Sequence, residues 1–286
     1  MWYNLSMAGF YNPKRNSDWN YGGKSWRLSR SKIDFFQECP RCFYIDNKYG
    51  VARPKGYPFN LNSAVDALLK KEFDIHRAAK TVHPLLKTYG LDAVPFADKR
   101  MDEWRDALKR GIRYLHEPTG LLVSGGVDDV WIDPKGELII ADYKATAKDG
   151  EVKLDADWQD GYRRQIEVYQ WLFRQNGFKV SDTGYFVYVN GQTDRAAFDG
   201  RLEFDVKLIP YTGNTDWVEP ILFSIKKCLD DVRCPLPAKS CDYCTYRLAM
   251  HGALMTAKAE GSSEKIPKKI SEKTEKISVA DKKTLF

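Results

Sequence analysis

Hydrophobic positions recur at helical spacing in the first part of the chain, where three helices are predicted. The first begins near Ser31, a predicted N-cap with Asp34 three residues later. The second covers residues 63–77 and has Asn62 as its cap. The third covers residues 99–116. Its apolar side chains form one stripe, made by Trp104, Leu108, Ile112 and Leu115.

The pattern then changes to strands. Residues 121–132 and 137–144 are apolar runs separated by a turn that contains Pro and Gly, which predicts a β-hairpin. A second hairpin is predicted from residues 183–189 and 197–206, with its turn near Asn190-Gly191.

A helix over residues 157–175 separates the two hairpins, and another over residues 216–231 follows them. This order of elements predicts an α/β fold with a mixed central β-sheet flanked by helices. We expect an irregular arm over residues 1–28, a domain over residues 29–255, and a charged, disordered tail over residues 256–286.

Composition excludes several classes of protein. Hydrophobic residues make up 43% and charged residues 29% of the 286 residues, a globular mixture unlike collagen-like or wholly disordered chains. The net charge of +6 is compatible with a polyanionic partner without demonstrating one. No run of 18 apolar residues and no signal-peptide pattern is present, so we expect a cytoplasmic protein without a membrane span.

The first hairpin carries the candidate chemistry. Its first strand contains Gly125-x-x-Asp128, and its second ends in Asp142-Tyr143-Lys144. Strand alternation places Asp142 and Lys144 on one face, and the partner strand can bring Asp128 alongside. Such carboxylates suit Mg²⁺ or Mn²⁺, which neutralises phosphate and lowers the pKa of bound water. Asp-x-Lys is also a common surface tripeptide, but the flanking pattern favours a site.

The helix after this hairpin has Gln165 and Tyr169 on one face, four residues apart. A glutamine inside an apolar stripe is either a buried amide with satisfied partners or a group that reaches a metal-bound water or a phosphate. Arg163 and Arg164 precede it and are either phosphate contacts or solvated surface residues.

In this order, the three motifs resemble the RecB-like branch of the PD-(D/E)XK nuclease superfamily, which includes CRISPR-associated exonucleases. The opening Ser29-Arg30-Ser31, followed by Cys39-Pro40, and the C-terminal Cys-x-x-Cys-x-Tyr are also similar to it, so the resemblance covers residues 28–250. It implies a restriction-endonuclease-like core.

Carried over by position, the resemblance implies roles for six residues. Asp128 and Asp142 would ligate the divalent metal, and the Tyr143 carbonyl would complete its shell. Lys144 would act on the attacking water. The branch's fourth motif would then be the pair Gln165 and Tyr169.

The first motif departs from the family, which often has a histidine ligand on the helix before the sheet. Asp66 stands at the matching position and remains a hard ligand for Mg²⁺. Glu72 is a second candidate, and either is alternatively an exposed charge. Three histidines fit no ligand spacing and are expected to be structural or exposed, namely His76, His83 and His116.

Cys39 and Cys42 form one Cys-x-x-Cys pair, and Cys241 and Cys244 form another. Two such pairs complete a tetrahedral thiolate site, which would join the two ends of the domain. The alternative is that cysteines are buried small hydrophobes, our interpretation of Cys228.

The resemblance adds a second metal for this site. Iron–sulfur members of the family use one N-terminal cysteine and a C-terminal trio spaced Cys-x2-Cys-x5-Cys. Met250 stands at the last position here, so Cys42 or Cys234 would have to substitute. Zn²⁺ and a 4Fe–4S cluster both remain open.

Together these features predict a divalent-metal-dependent DNA nuclease, an exonuclease on single-stranded or free ends in repair, recombination or CRISPR adaptation. The rival hypothesis is a non-catalytic DNA-binding or scaffold protein that keeps the fold and the cysteine site. The chain ends in Leu285-Phe286, which is similar to peptides that dock into the bacterial sliding clamp.

Overall fold

A computed structural model describes residues 16–54, 60–150 and 159–259. The chain divides into two compact units, one that ends at Ala238 and one that begins at Lys239. The first unit holds all strands of the described residues, and the described part of the second is mainly one helix. None of the described helices combines the length and apolarity that a membrane span requires.

The helices and strands have the following bounds. The helices are α1 (Arg30–Glu38), α2 (Pro40–Tyr49), α3 (Asn60–Ala79), α4 (Pro84–Thr88), α5 (Met101–Arg105), α6 (Asp160–Gln175), α7 (Val218–Asp230) and α8 (Asp242–Ala259). The strands are β1 (Leu28–Ser29), β2 (Val94–Pro95), β3 (Ile112–His116), β4 (Leu121–Gly125), β5 (Asp129–Ile132), β6 (Leu138–Thr146), β7 (Thr183–Gly191) and β8 (Phe204–Thr212).

The strands form two mixed sheets, which confirms the predicted α/β class. Five strands pair in the order β2-β5-β6-β7-β8, where β6 and β7 run parallel and the other neighbours are antiparallel. Three strands form the second sheet in the order β1-β4-β3, with β1 and β4 parallel. The parallel β6–β7 pair has α6 as its crossover, as such pairs require.

Both faces of the larger sheet are covered, so alternate residues of its central strands enter two different cores. Val130 and Ile140 pack in a core that includes α6 residues such as Ile166. Their neighbours Trp131 and Ile139 pack in a second core with side chains of α3. The sequence pattern of near-continuous apolar residues in β6 follows from this double burial.

The predicted helix over residues 99–116 is wrong. It ends at Arg105 in the structure, and Ile112–His116 is strand β3, which pairs with β4. Gly111, directly before β3, has a φ of 76°, a backbone conformation that a continuous helix over these residues could not contain. Leu108, counted in the apolar stripe, is 85% exposed.

The predicted strand over residues 121–132 is two strands in two different sheets. It breaks after Gly125, and the chain re-forms as β5 from Asp129 onward. Only β5 pairs with β6, over Asp129↔Ala141 to Ile132↔Leu138. The candidate Asp128 therefore lies in the connection between the sheets.

Smaller corrections concern the helix caps. Ser29, two residues before the predicted cap, is the N-cap of α1, and its Oγ accepts from the Lys32 backbone N–H. The Ser31 hydroxyl instead shares a hydrogen bond with Ser29 Oγ. Asn62 lies inside α3, and its Nδ2 donates to the Ala145 carbonyl of β6. Its side chain ties the helix to the strand instead of capping it.

The second hairpin turns later than predicted. Strand β7 continues through Asn190-Gly191, and the connection to β8 covers residues 192–203. Asn190 Oδ1 accepts from the Lys148 backbone N–H, so its side chain bonds outside the hairpin. Helix α8 includes residues 256–259 of the predicted tail, while residues 260–286 lie outside the described part of the chain.

Candidate active site

Asp128 lies at the junction between the two sheets, directly before β5. Its Oδ2 accepts a hydrogen bond of 3.0 Å from the Tyr143 backbone N–H of β6. Tyr143 lies between Asp142 and Lys144, so this bond fixes Asp128 beside the end of the neighbouring strand. The structure thus brings together the two halves of the predicted acidic motif.

Asp142 is fully buried on β6. Its Oδ2 forms an ion pair with the Lys144 ammonium, while its Oδ1 has no hydrogen-bond partner within the described part of the chain. Burial, the largest cause, raises the pKa of Asp142 to about 6. The Lys144 ammonium opposes this shift, the Asp128 carboxylate adds to it, and the Arg30 guanidinium opposes it.

Lys144 continues into a chain of hydrogen bonds on α6. Its Nζ donates to Gln165 Oε1 at 3.3 Å and lies 4.6 Å from the ring centre of Tyr162. The Gln165 amide donates to the Tyr169 hydroxyl at 3.3 Å, and that hydroxyl donates to the Gly126 carbonyl at 2.6 Å. Gln165 is therefore a partnered amide that also faces the lysine. This series of hydrogen bonds therefore leads from Lys144 back to the Gly-x-x-Asp segment.

Close contacts with neighbouring residues explain why both positions at the start of that segment are glycine. A Cβ on Gly125 would lie 2.5 Å from a ring carbon of Tyr169, so glycine permits the ring to approach the strand. A Cβ on Gly126 would lie 2.4 Å from the Cβ of Ala107. Both contacts are closer than real side chains tolerate, so the segment before Asp128 is shaped by its neighbours.

Asp66 of α3 joins the same group through a lysine that the motifs did not indicate. Lys70 Nζ lies 2.8 Å from Asp66 Oδ2 and 3.2 Å from Asp128 Oδ1. Partial burial lowers the pKa of Lys70, but both carboxylates outweigh burial and leave this pKa above its usual value. Its spacing of four residues from Asp66 was the sequence signal for this contact.

Glu72, the second first-motif candidate, does not join this group. Its carboxylate lies 3.0 Å from His83 Nε2, and His83 also caps α4 through Nδ1. His76 bonds the Thr81 hydroxyl, and the buried His116 bonds a neighbouring threonine. The three histidines have local structural roles, as expected.

Arg163 and Arg164 both form ion pairs with carboxylates. Arg163 pairs with Asp160 one turn earlier, and Arg164 pairs with Asp34 of α1 at 2.5 Å. Neither side chain therefore needs a phosphate to satisfy its charge.

A second carboxylate cluster lies on the other face of the hairpin, and sequence reasoning missed it. The fully buried Asp129 accepts from Arg77, Arg105 and the Tyr143 hydroxyl, among others. Asp74 on α3 accepts from both arginines as well. Arg105 Nε also donates to the Asp128 carbonyl at 3.0 Å, so this cluster supports the backbone of the candidate site.

The four predicted cysteine ligands lie close together. The sulfur atoms of Cys39, Cys42, Cys241 and Cys244 are all within 4.8 Å of one another, a set that could hold a metal ion. Cys234 is not part of this set, so Cys42 is the fourth thiol. Burial raises the pKa of Cys228 to about 11, which agrees with its interpretation as a small hydrophobe.

The carboxylates offer the oxygen ligands that a hard divalent cation prefers, although among the described residues only the four cysteines lie close enough together to form a set that could hold an ion. Asp142 Oδ1 is buried without a protein donor among the residues described, and a carboxylate in that state has lone pairs available for an ion. Asp128 and Asp66 offer further oxygens nearby, bridged by a single ammonium. The donor set is all oxygen, which suits Mg²⁺ or Mn²⁺.

Comparison with known proteins gives a family. The family model of the PD-(D/E)XK nuclease superfamily matches residues 27–249 of this chain, well over half of its length. A crystal structure of SSO0001 is 15% identical, covers 78% of this chain and 84% of its own, and has a TM-score of 0.39. No curated protein matches the chain significantly.

Proposed function

Because the chain belongs to the PD-(D/E)XK nuclease superfamily, we propose that it hydrolyses phosphodiester bonds of DNA at the Asp128–Asp142–Lys144 site. Nucleases of this superfamily act on DNA and depend on a divalent metal. The finer assignment, a RecB-like exonuclease on single-stranded or free ends, belongs to the same proposal.

The proposal gives each residue a role. Asp128 and Asp142 would ligate Mg²⁺ or Mn²⁺, with Asp66 as a third carboxylate and the Tyr143 carbonyl completing the shell. When bound, the cation would neutralise the scissile phosphate and lower the pKa of a bound water. Lys144 would donate a hydrogen bond from Nζ to the attacking water and stabilise developing negative charge.

Gln165 and Tyr169 would serve as positioning residues. Gln165 holds the Lys144 ammonium through Oε1, and Tyr169 ties this amide to the Gly126 carbonyl. Their role would be to fix where Nζ lies when substrate arrives, because small displacements of an oriented group reduce the rate strongly.

One observation carries the proposal. Asp142 is fully buried next to a second carboxylate, yet one of its oxygens lacks a hydrogen bond from any described residue. A structural carboxylate with this burial is normally saturated by donors. The missing partner is therefore best supplied by a cation from solution.

The direct test uses an end-labelled single-stranded oligonucleotide with Mg²⁺, Mn²⁺ or EDTA. We expect metal-dependent cleavage that Asp142→Ala and Lys144→Ala each reduce by about 10²–10³-fold. Lys135→Ala is the matched control, because Lys135 lies exposed in the turn at the other end of the same hairpin. Cleavage by both site variants at the parental rate would refute the proposal.

Further arms of this assay address the finer assignment. An exonuclease should digest the linear strand and leave a circular single strand intact, whereas an endonuclease should open the circle. Tight DNA binding without cleavage in any divalent metal would instead identify the rival function, a non-catalytic DNA-binding protein.

The four cysteines would hold a structural metal centre, either Zn²⁺ or a 4Fe–4S cluster. Elemental analysis of anaerobically purified protein, together with its visible absorption spectrum, separates the two. Cys244→Ser should lower the metal content, whereas Cys228→Ser should not, since Cys228 is outside the cluster. Unchanged metal content in Cys244→Ser would contradict this assignment.

The proposed docking of Leu285-Phe286 into a sliding clamp concerns residues outside the described part of the chain. A pull-down with purified clamp tests it, and capture that survives deletion of these two residues would exclude it.

A further inference from the structure

Lys70 holds the two carboxylates of the first and second motifs together. Its Nζ lies 2.8 Å from Asp66 Oδ2 on the same helix and 3.2 Å from Asp128 Oδ1 in the junction between the sheets. The remaining oxygen of Asp128 accepts the Tyr143 backbone N–H. The ammonium is therefore the cation that faces both proposed ligands in this structure.

This arrangement differs from an ordinary surface ion pair. Exposed pairs spaced i, i+4 on a helix contribute little and involve two charges. Here one ammonium serves two carboxylates, and the Lys70 side chain is only 23% exposed. Without a cation between them, Asp66 and Asp128 would repel each other.

Lysine is suited to an ion pair that a competing cation can displace. Its ammonium is a compact point charge on a flexible four-carbon stem, whereas arginine binds carboxylates through a rigid, two-point fork. The partial exposure of Lys70 gives its ammonium access to water. A divalent cation carries twice the charge and can take the same oxygen atoms as ligands.

We propose that Lys70 is a displaceable internal cation: it occupies the position between Asp66 and Asp128 in the metal-free protein, and the divalent metal must displace it. This inference rests on the proposed function, because it takes both aspartates as metal ligands. Lys70 thereby sets the metal concentration at which the site fills and keeps the carboxylates positioned before it does.

The experiment measures metal binding without any substrate. Mn²⁺ is titrated into the full-length protein, and free Mn²⁺ is followed by electron paramagnetic resonance; this hard ion discriminates against the thiolate cluster. Lys70→Met, which keeps the apolar stem, should bind Mn²⁺ about tenfold more tightly or better, because no ammonium has to leave. Without metal, Lys70→Met should melt at a lower temperature than the parent. Added Mn²⁺ should raise the melting temperature of Lys70→Met more than that of the parent.

Two further variants complete the design. Lys71→Met removes the same charge from the exposed neighbouring position of α3 and should bind Mn²⁺ as the parent does. Lys70→Arg keeps a cation that is harder to displace and should bind Mn²⁺ no more tightly than the parent, so it decides the matter if Lys70→Met fails to fold. Equal or weaker binding in Lys70→Met, or tighter binding in Lys70→Arg, would overturn the inference.

Asp128→Ala separates this inference from the proposed function. If it does not change Mn²⁺ binding, the metal site itself is wrongly placed, and the proposed function fails with it. If it abolishes binding while Lys70→Met leaves the affinity unchanged, only the role of Lys70 is wrong.

Discussion

Asp129 and Asp142 are equally buried, and they lie on paired strands, but their surroundings are opposite. Asp129 accepts from two arginines, the Tyr143 hydroxyl, the Trp131 indole and a backbone N–H. Asp142 has one ion pair, with Lys144, and an oxygen that no described residue satisfies. Burial alone therefore does not distinguish these two carboxylates; the number of donors does.

This difference follows from the two faces of the hairpin. Asp129 projects towards the core with α3, where Arg77 and Arg105 converge on it and Asp74 neutralises them further. Asp142 projects to the face covered by α6, where Gln165 bonds Lys144 and Tyr169, and neither side chain bonds the carboxylate. The carboxylate on one face is saturated with donors, and the carboxylate on the other has an oxygen without a donor among the described residues.

The largest expected effect on stability concerns Asp129, on the face of the hairpin that packs against α3. Asp129→Asn breaks a buried ion pair and leaves two guanidinium groups short of a partner, so it should lower the free energy of unfolding by about 3–5 kcal/mol. Urea denaturation measures this. Glu203→Gln, in the exposed pair with Arg195, is the control and should cost less than about 0.5 kcal/mol. A comparable cost for both variants would break the contrast.

Asp128, the neighbour of Asp129, should show the reverse: its substitution should affect cleavage strongly and stability little. Asp128→Asn can still accept the Tyr143 N–H but loses the charge that a cation needs, so cleavage should fall by about 10²–10³-fold. That corresponds to about 3–4 kcal/mol of transition-state stabilisation. Its free energy of unfolding should change by less than about 1 kcal/mol, because its side chain is partly exposed. Full activity with strongly reduced stability would contradict the division of roles.

A pH series sharpens the comparison further. Burial raises the pKa of Asp142 from 3.8 to about 6. Between those values the native state binds more protons than the unfolded state, so this group makes the free energy of unfolding fall as pH rises. In metal-free protein the loss should be on the order of 2–3 kcal/mol, complete above the folded-state pKa.

Asp142→Asn removes this contribution. Its free energy of unfolding, compared with the parent in urea titrations at several pH values in EDTA, should gain relative to the parent as pH rises through about 4–7. Glu117→Gln changes an exposed carboxyl and controls for net charge. Parallel pH curves for Asp142→Asn and the parent would show that burial does not destabilise the ionised carboxylate.

Local pattern was enough to predict which side chains lie together on the acidic hairpin and on the helix that follows it. Alternation on β6 placed Asp142 with Lys144, and helical spacing placed Gln165 with Tyr169, and both relations hold in the structure. These relations depend on neighbours within one element. The pairing of β5 with β6 followed from a turn signal that is equally local.

What pattern did not predict depends on contacts between distant segments. The predicted strand over residues 121–132 breaks after Gly125, which lies against Tyr169 of α6. The predicted helix over residues 99–116 ends at Arg105, and Gly111 beyond it lies against the backbone of Gly125. The Asp129 cluster needs two arginines from different helices, and Lys70 needs Asp128 from 58 residues away. The spacing of these residues along the chain gives no signal for their contacts with Asp128 and Asp129.

The smallest expected effect concerns the hydroxyl of Tyr169, which links Gln165 to the Gly126 carbonyl on the face covered by α6. Tyr169→Phe keeps the ring against Gly125 but leaves the Gly126 carbonyl without its 2.6 Å donor and frees the Gln165 amide. We expect about 1 kcal/mol less stability, as for one buried hydrogen bond, and about tenfold slower cleavage from a less fixed Lys144. Tyr114→Phe is the matched control, because its ring packs on Trp171 and no described residue bonds its hydroxyl. If Tyr169→Phe cleaves DNA as fast as the control but is still about 1 kcal/mol less stable than the parent, the hydroxyl supports the fold alone. The proposed active site is then limited to the carboxylates and Lys144.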